Sequence, residues 1–258
     1  MEFETVTEIP GNKAHQDQFD IMRTRYEWVA EFCDGKEVLE LACGSGIGLG
    51  ILAGKAKHVT GSDIDRKVLC HAKKHYANHN ITLLEMDACN PNLQDSSMDV
   101  IICLEAVYYL PDFRSFIENA HRILRPNGIL LITSVNCQWH GFNPSPYSKK
   151  YYSIEELKSK LEKNKWNAIS YVSSEDNPNT IKKKIIKLIR SIAVKSGLIP
   201  KTMRGKEILK KIFYGDLLPL PPELTKNDGN IMPLYPTDPQ IKIRNFKFFF
   251  IKATKEEK

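Results

Sequence analysis

Short, nearly uninterrupted apolar runs alternate with amphipathic stretches through the first half of the chain. The runs at 36–42 (KEVLELA), 57–63 (KHVTGSD), 80–87 (NITLLEMD), 97–107 (SMDVIICLEAV) and 128–135 (GILLITSV) have the length and branched-residue content of buried strands. Between them, apolar positions return every three or four residues, as on one face of a helix, over 47–55, from Arg66 to His79, and over 113–126. Pro126 and Gly128 are expected to stop the last of these. Another helix is predicted from about Ala14 to Phe32. Strands apolar on both faces and separated by crossover helices imply an α/β fold with a doubly wound, mostly parallel sheet.

The pattern changes after Val135. An aromatic-rich loop (136–153) leads to a helix that Ser153 caps, with Glu156 as the partner of a capping box. Two more strands are predicted at 167–174 (NAISYVSS) and 245–254 (NFKFFFIKAT). Roughly seventy residues lie between them, too many for a structureless loop, and they carry helical patterns at 180–196 and 204–214 followed by a Pro-rich tail. The expected organisation is a core of 1–175 with 244–258, and a basic helical insertion, 176–243, acting as a cap.

Net charge, +6 over 258 residues, hides an asymmetry. From Asn179 to Lys211 eleven Lys or Arg stand against one acid, Glu207, while the remainder is near neutral. Such a run suggests an anionic partner. It equally fits a core-facing helix, with Ile181, Ile185, Leu188 and Ile192 inward and the charges in water. No stretch has the length of a membrane span. The acidic start lacks the features of a signal peptide, and six scattered cysteines form no CxxC pair. A reducing, cytoplasmic setting is therefore expected, without disulfides or a zinc knuckle.

VLELACGSGIGLGILA is the most informative stretch. A strand enters a turn containing Gly44, Gly46 and Gly48 that opens a helix, so backbone amides converge on one ligand. Asp63, seventeen residues beyond Gly46 at the end of the next strand, is placed to accept hydrogen bonds from ribose hydroxyls. A dinucleotide site would favour GxGxxG, yet position 49 is Leu. Glu40, just before the turn, would repel a pyrophosphate and attract an ammonium or a sulfonium. The cofactor is thus expected to be a cationic adenosine compound.

ELACGSG, the acid in GSDID, the Asp in LLEMDA, and LEAVYYLPD after the fourth strand occur in the order found in class I S-adenosylmethionine-dependent methyltransferases, and from about Arg25 to Ser153 the chain resembles that family. The resemblance implies a Rossmann-like seven-stranded sheet closed by a hairpin of the last two strands, and S-adenosyl-L-methionine as cofactor. Carried onto matching positions, Ala42, Gly44 and Gly46 would cradle the methionine part near Glu40. Asp63 would bind the ribose, with Ile64 beside the adenine. Asp87 and the amide of Ala88 would read the adenine, and Leu104 would line the methionine end. Arg25 and Tyr26 resemble an element that closes over the cofactor. Related sequences often have Glu-His where this chain has Tyr108 and Tyr109.

Methyl transfer from a sulfonium needs alignment above all, and a base only if the acceptor must lose a proton. Candidates near the mouth are His140, Glu105, Tyr108 and Tyr109, with His140 ranked first because it follows the fifth strand. The alternative for His140 is a hydrogen-bonding loop residue, and for the tyrosines packing at the mouth. The expected function is methylation of a small, anionic metabolite, such as a sugar, glycan precursor or nucleotide-activated compound. A nucleic-acid acceptor read by the basic insertion and a cofactor-binding regulator are the other possibilities.

Three further features are read as structural. His71, His75 and His79 recur on one helix without a completing ligand and fit a solvated face, so no metal site is expected. Cys43 fits the turn as a small residue. NPSPY (143–147) resembles a base-methylation signature but carries an extra Ser and follows the wrong strand.

Overall fold

The computed structural model describes residues 3–77, 80–176 and 217–256. His79, the whole basic run from Asn179 to Lys211, and with it the helical patterns at 180–196 and 204–214, lie outside the described residues. In chain order the first elements are a two-residue strand β1 (Lys13–Ala14), α1 (Gln16–Ala30), β2 (Glu37–Leu41), α2 (Leu49–Ala53) and β3 (His58–Asp63). Next come α3 (Arg66–His75), β4 (Ile81–Glu85), β5 (Met98–Leu104), α4 (Phe113–Ile123) and β6 (Leu124–Val135). The last are α5 (Ile154–Glu162), β7 (Trp166–Glu175), the two-residue strands β8 (Leu218–Pro219) and β9 (Tyr235–Pro236), and β10 (Phe246–Lys255).

The main sheet runs β4-β3-β2-β5-β6-β10-β7-β9. From β4 to β6 the pairings are parallel, whereas β10 lies antiparallel between β6 and β7. Seven long strands thus form the expected doubly wound sheet, and β9 adds a short edge on β7.

Period-two alternation within the central strands builds two cores. Leu39, Leu41, Ile101, Cys103, Leu130 and Ile132 face Phe116, Ile117 and Leu157 of α4 and α5. Val38, Val100, Ile102 and Leu131 face the opposite way, into a cluster with Tyr26, Trp28, Leu52 and Leu69. Fully burying each such aliphatic side chain is worth about 1.5–3 kcal/mol, which fixes the strand register.

Helix boundaries follow local chemistry. Asp65 caps α3 by accepting the amides of Lys67 and Val68, and Ser153 caps α5 by accepting that of Glu156. α4 ends at Ile123, three residues before the predicted stop, and Leu124 already has an extended ψ of 138°. Pro126 disfavours helical backbone at the residue before it, so the chain turns into β6 early.

The helical part of the expected cap lies outside the described residues, and what the structure describes is its Pro-rich tail. Residues 217–240 contain no α-helix and form an extended strap across α1. The Leu220 amide donates to the Asn12 carbonyl, that of Leu224 to Ile47, and that of Met232 to Thr24 Oγ1. Leu220 and Leu224 are buried beneath it. Among the described residues, no helix is long and apolar enough to cross a membrane.

Candidate active site

Strand order reverses between β2 and β5, and the loops leaving their carboxyl ends part to opposite faces, opening a crevice. A cavity of about 900 Å³ fills it. It runs from the end of β3, where Asp63 stands, past β2, β5 and β6 to Lys247 and Phe248 at the start of β10. Four strand spacings span about 19 Å, ample for a nucleoside cofactor with an acceptor beside it.

The turn after β2 is held in a left-handed conformation, with φ of +58° at Ala42, +59° at Gly44 and +77° at Gly46. Asp63 supports it: Oδ2 accepts the Gly44 amide at 2.9 Å and Oδ1 accepts the Asp65 amide at 2.8 Å. Burial raises the Asp63 carboxyl above its ordinary pKa, opposed by these amides. Each oxygen keeps a second lone pair for a ribose hydroxyl.

Ala42, Gly44, Asp63, Ile64, Asp87, Ala88, Leu104 and Tyr26 all line the cavity. Ile64 is 57% exposed, an apolar side chain laid open beside Asp63 as a flat base requires. Asp87 Oδ1 accepts the Cys89 amide at 2.8 Å, which orients that carboxylate. Gly46 does not line the cavity, and a Cβ there would meet the Ala72 Cβ at 2.8 Å, so the packing of the turn on α3 also calls for glycine.

Glu40 sits behind this wall, fully buried on β2. Tyr26 donates its hydroxyl to Glu40 Oε1 at 2.9 Å, while Oε2 has no partner among the described residues. Desolvation pushes the Glu40 carboxyl up to about 8, with Tyr26 and the Arg25 guanidinium pulling the other way. An orphaned carboxylate beneath a glycine turn fits a cationic group above it and does not fit a pyrophosphate.

Arg25 ties floor to roof. Its Nη2 meets Glu8 Oε1 at 3.1 Å, and its Nη1 lies 4.0 Å from Glu105 Oε1. Burial opposes its charge, but the two carboxylates prevail and hold it protonated. Residues 3–8 form the roof, a feature that carries no hydrophobic period. The Phe3 amide donates to Asp65 Oδ2 at 2.9 Å, Ser45 Oγ donates to the Glu8 carbonyl at 2.6 Å, and the Phe3 ring meets Tyr109 edge-on at 5.6 Å.

The candidate base residues separate. His140 is exposed and does not line the cavity, which corrects its first ranking; the neighbouring Trp139 and Asn143 point in instead. Here the loop turns Trp139 under β7, its indole Nε1 donating to Asp176 Oδ2 at 2.9 Å, and leaves the next side chain outward. Glu105 lines the cavity and, with φ of +51°, ends β5 so that its side chain turns back toward Arg25. Thr133 Oγ1 donates to it at 3.1 Å, and burial raises its pKa, with Arg25 opposing.

Burial also raises both phenols next to it, so Tyr108 and Tyr109 stay neutral donors and are not bases at ordinary pH. Tyr108 stacks on Tyr151 at 4.4 Å, and Tyr109 shares a 2.6 Å hydrogen bond with Ser145 Oγ. The pair braces the loop that forms the mouth. His15, at the N-terminus of α1, also lines the cavity; nothing in its local sequence marks it. Among the described residues no cluster could hold a metal ion.

Residues 39–132 match the family described as "Methyltransferase domain". A probable S-adenosylmethionine-dependent methyltransferase of Mycolicibacterium smegmatis is 31% identical over 128 residues, covering 50% of this chain and 49% of that protein. A ubiquinone biosynthesis O-methyltransferase of Pseudomonas aeruginosa is 29% identical over 122 residues, 45% of this chain and 53% of that protein. The chain therefore matches about half the length of these relatives. A Thermotoga maritima structure titled as a SAM-dependent methyltransferase, possible histamine N-methyltransferase, superposes with a TM-score of 0.58 at 15% identity, covering 92% of this chain and 90% of that one. That likeness concerns the fold. Residues 39–132, which hold the glycine turn, Asp63 and the orphaned Glu40, are thus the stretch of this chain that is similar to methyltransferase domains.

Proposed function

We propose that the protein transfers a methyl group from S-adenosyl-L-methionine to a hydroxyl of a small, anionic metabolite. The observation that carries this reading is the single cavity joining the glycine turn and Asp63 to the mouth at Tyr109 and Lys247. A closed roof over it suits a small acceptor better than a polymer.

The cofactor supplies an electrophilic methyl on a cationic sulfur. Glu40, ionised, supplies the opposing charge; Gly44 and Asp63 hold the nucleoside end. Alignment of this kind is worth about 7–11 kcal/mol of barrier. Residues 3–8 and the tyrosine wall exclude water, and Glu105 takes the proton that a hydroxyl acceptor must lose.

Calorimetry with S-adenosylmethionine, S-adenosylhomocysteine and NADH tests the donor site. Micromolar binding of the first two and none of the third is expected; the reverse order overturns the reading. Release of S-adenosylhomocysteine on incubation with pools of small hydroxylated acids then finds the acceptor.

A further inference from the structure

The far end of the cavity differs from the cofactor end in charge and in surface. Around the turn the lining groups are acidic: Asp63, Asp87, Glu105 and Glu8, with Arg25 between the last two. At the start of β10, two strands beyond β5, the lining includes Trp139, Phe248, Ile21 and Lys247, with Asp17 as the carboxylate beside the ammonium.

Lys247 is built into the sheet. Its carbonyl accepts the Asn136 amide at 2.8 Å, and its side chain is only 19% exposed. Its Nζ lies 5.8 Å from the Trp139 ring centroid. The nearest carboxylate is Asp17 Oδ2 at 3.6 Å, on a side chain that is 58% exposed. An ion pair so open to water gains little. A cation largely withdrawn from water needs a better partner, and the cavity gives a ligand anion access to it. Trp139 is 6% exposed and pinned through its indole to Asp176, so its ring is a fixed flat wall.

We infer that Lys247 and Trp139 form the acceptor's recognition site, taking a flat, unsaturated ring that carries a carboxylate. The carboxylate meets Lys247, the ring lies along Trp139 and Phe248, and the hydroxyl to be methylated points toward Glu105. The inference rests on the proposed methyl-transfer reading and narrows its acceptor from a small anion to a planar aromatic acid.

The test uses 2-naphthoate and its neutral counterpart 2-naphthamide as probes, titrated calorimetrically into the whole chain with and without S-adenosylhomocysteine. Naphthoate is expected to bind at least tenfold more tightly than naphthamide. Lys247→Met should erase that ratio, and Lys247→Arg should keep it, both with unchanged affinity for S-adenosylhomocysteine. Equal binding of the two probes to the wild type, binding of neither, or a ratio that survives in Lys247→Met overturns the inference. The wild-type comparison stands even if Lys247→Met fails to fold. If S-adenosylhomocysteine does not bind while naphthoate does, the methyl-transfer reading has failed and the recognition site has not.

Discussion

The Tyr26 hydroxyl donates to Glu40 Oε1 at 2.9 Å, the one hydrogen bond that carboxyl, buried beneath the glycine turn, accepts among the described residues. With its pKa pushed up to about 8 by burial, Glu40 is mostly protonated at pH 7 and mostly ionised at pH 9. A cationic cofactor binds the ionised form, so its affinity should rise about tenfold between these values. The stability of the ligand-free protein runs the other way. The folded pKa lies above the unfolded one, so this group's contribution is full at pH 4 and is lost as pH climbs to about 8. Tyr26→Phe removes a hydrogen bond to a charged group, worth about 1.5–3 kcal/mol, and should weaken cofactor binding at least tenfold at pH 7. Titrations from pH 6 to 9.5 would show the midpoint moving upward in the variant; an unmoved midpoint contradicts the coupling.

Asp63 holds the turn as well as facing the ribose. Its two oxygens accept the amides of Gly44 and Asp65, so Asp63→Ala leaves two buried donors without partners. Each costs about 1–3 kcal/mol, and the melting temperature should fall along with cofactor affinity. Asp63→Asn keeps one acceptor oxygen and should recover part of the stability while binding remains impaired. Thermal melts beside calorimetry separate the two effects; a full-strength Asp63→Ala fold would show that the turn stands without it.

The parts of this site that lie on regular elements are legible from sequence, because a strand's apolar period and a Gly-rich turn are local signals. β2, the turn and Asp63 follow from residues 36–63 alone. Glu40 is marked by its charge among the apolar residues Val38, Leu39 and Leu41 of its strand, and burial sets it apart from Glu37 at the strand's start. What escapes is set by long-range contacts. The roof at residues 3–8 is tied down by Asp65, Ser45 and Arg25, partners 17 to 62 positions away. The strap at 217–240 reaches α1 through the amides of Asn230 and Met232, donated to the Asp20 and Thr24 side chains, and through the Arg23 guanidinium on the Thr225 carbonyl, with no period at all. Gly46 reads as a ligand glycine in the motif, and the nearness of Ala72 adds a packing demand that the sequence does not show. In the loop after β6, sequence selects the titratable His140, whereas the chain's path turns Trp139 inward.

Ala42 offers a test of strain at the turn. At φ of +58° a residue with a Cβ pays about 1–2 kcal/mol that glycine avoids. Glycine loses about 0.4–1 kcal/mol through greater freedom in the unfolded chain, so Ala42→Gly should raise stability by up to about 1 kcal/mol. Gly44→Ala should do the opposite, since φ is +59° and its new Cβ would come within 3.0 Å of Thr7 Cγ2 in the roof. Urea titrations of both variants give the two signs. A destabilised Ala42→Gly would mean that the Ala42 methyl contributes more by packing than its backbone costs.

Exchanging the two candidate proton acceptors distinguishes position in the sequence from position in the cavity. His140→Ala should leave kcat and KM within about twofold, because an exposed residue off the cavity touches neither substrate. Glu105→Gln keeps the shape and the Thr133 contact but cannot take a proton, and loss of a general base costs about 100-fold or more in kcat. Because burial raises the Glu105 pKa, the wild-type rate should climb with pH through a limb above the ordinary carboxylate range, and that limb should vanish in Glu105→Gln. Binding of S-adenosylhomocysteine, measured alongside, should stay near wild type and so exclude a collapsed site. A fully active Glu105→Gln would instead mean that the acceptor arrives already ionised, leaving Glu105 to hold Arg25 in place under the roof.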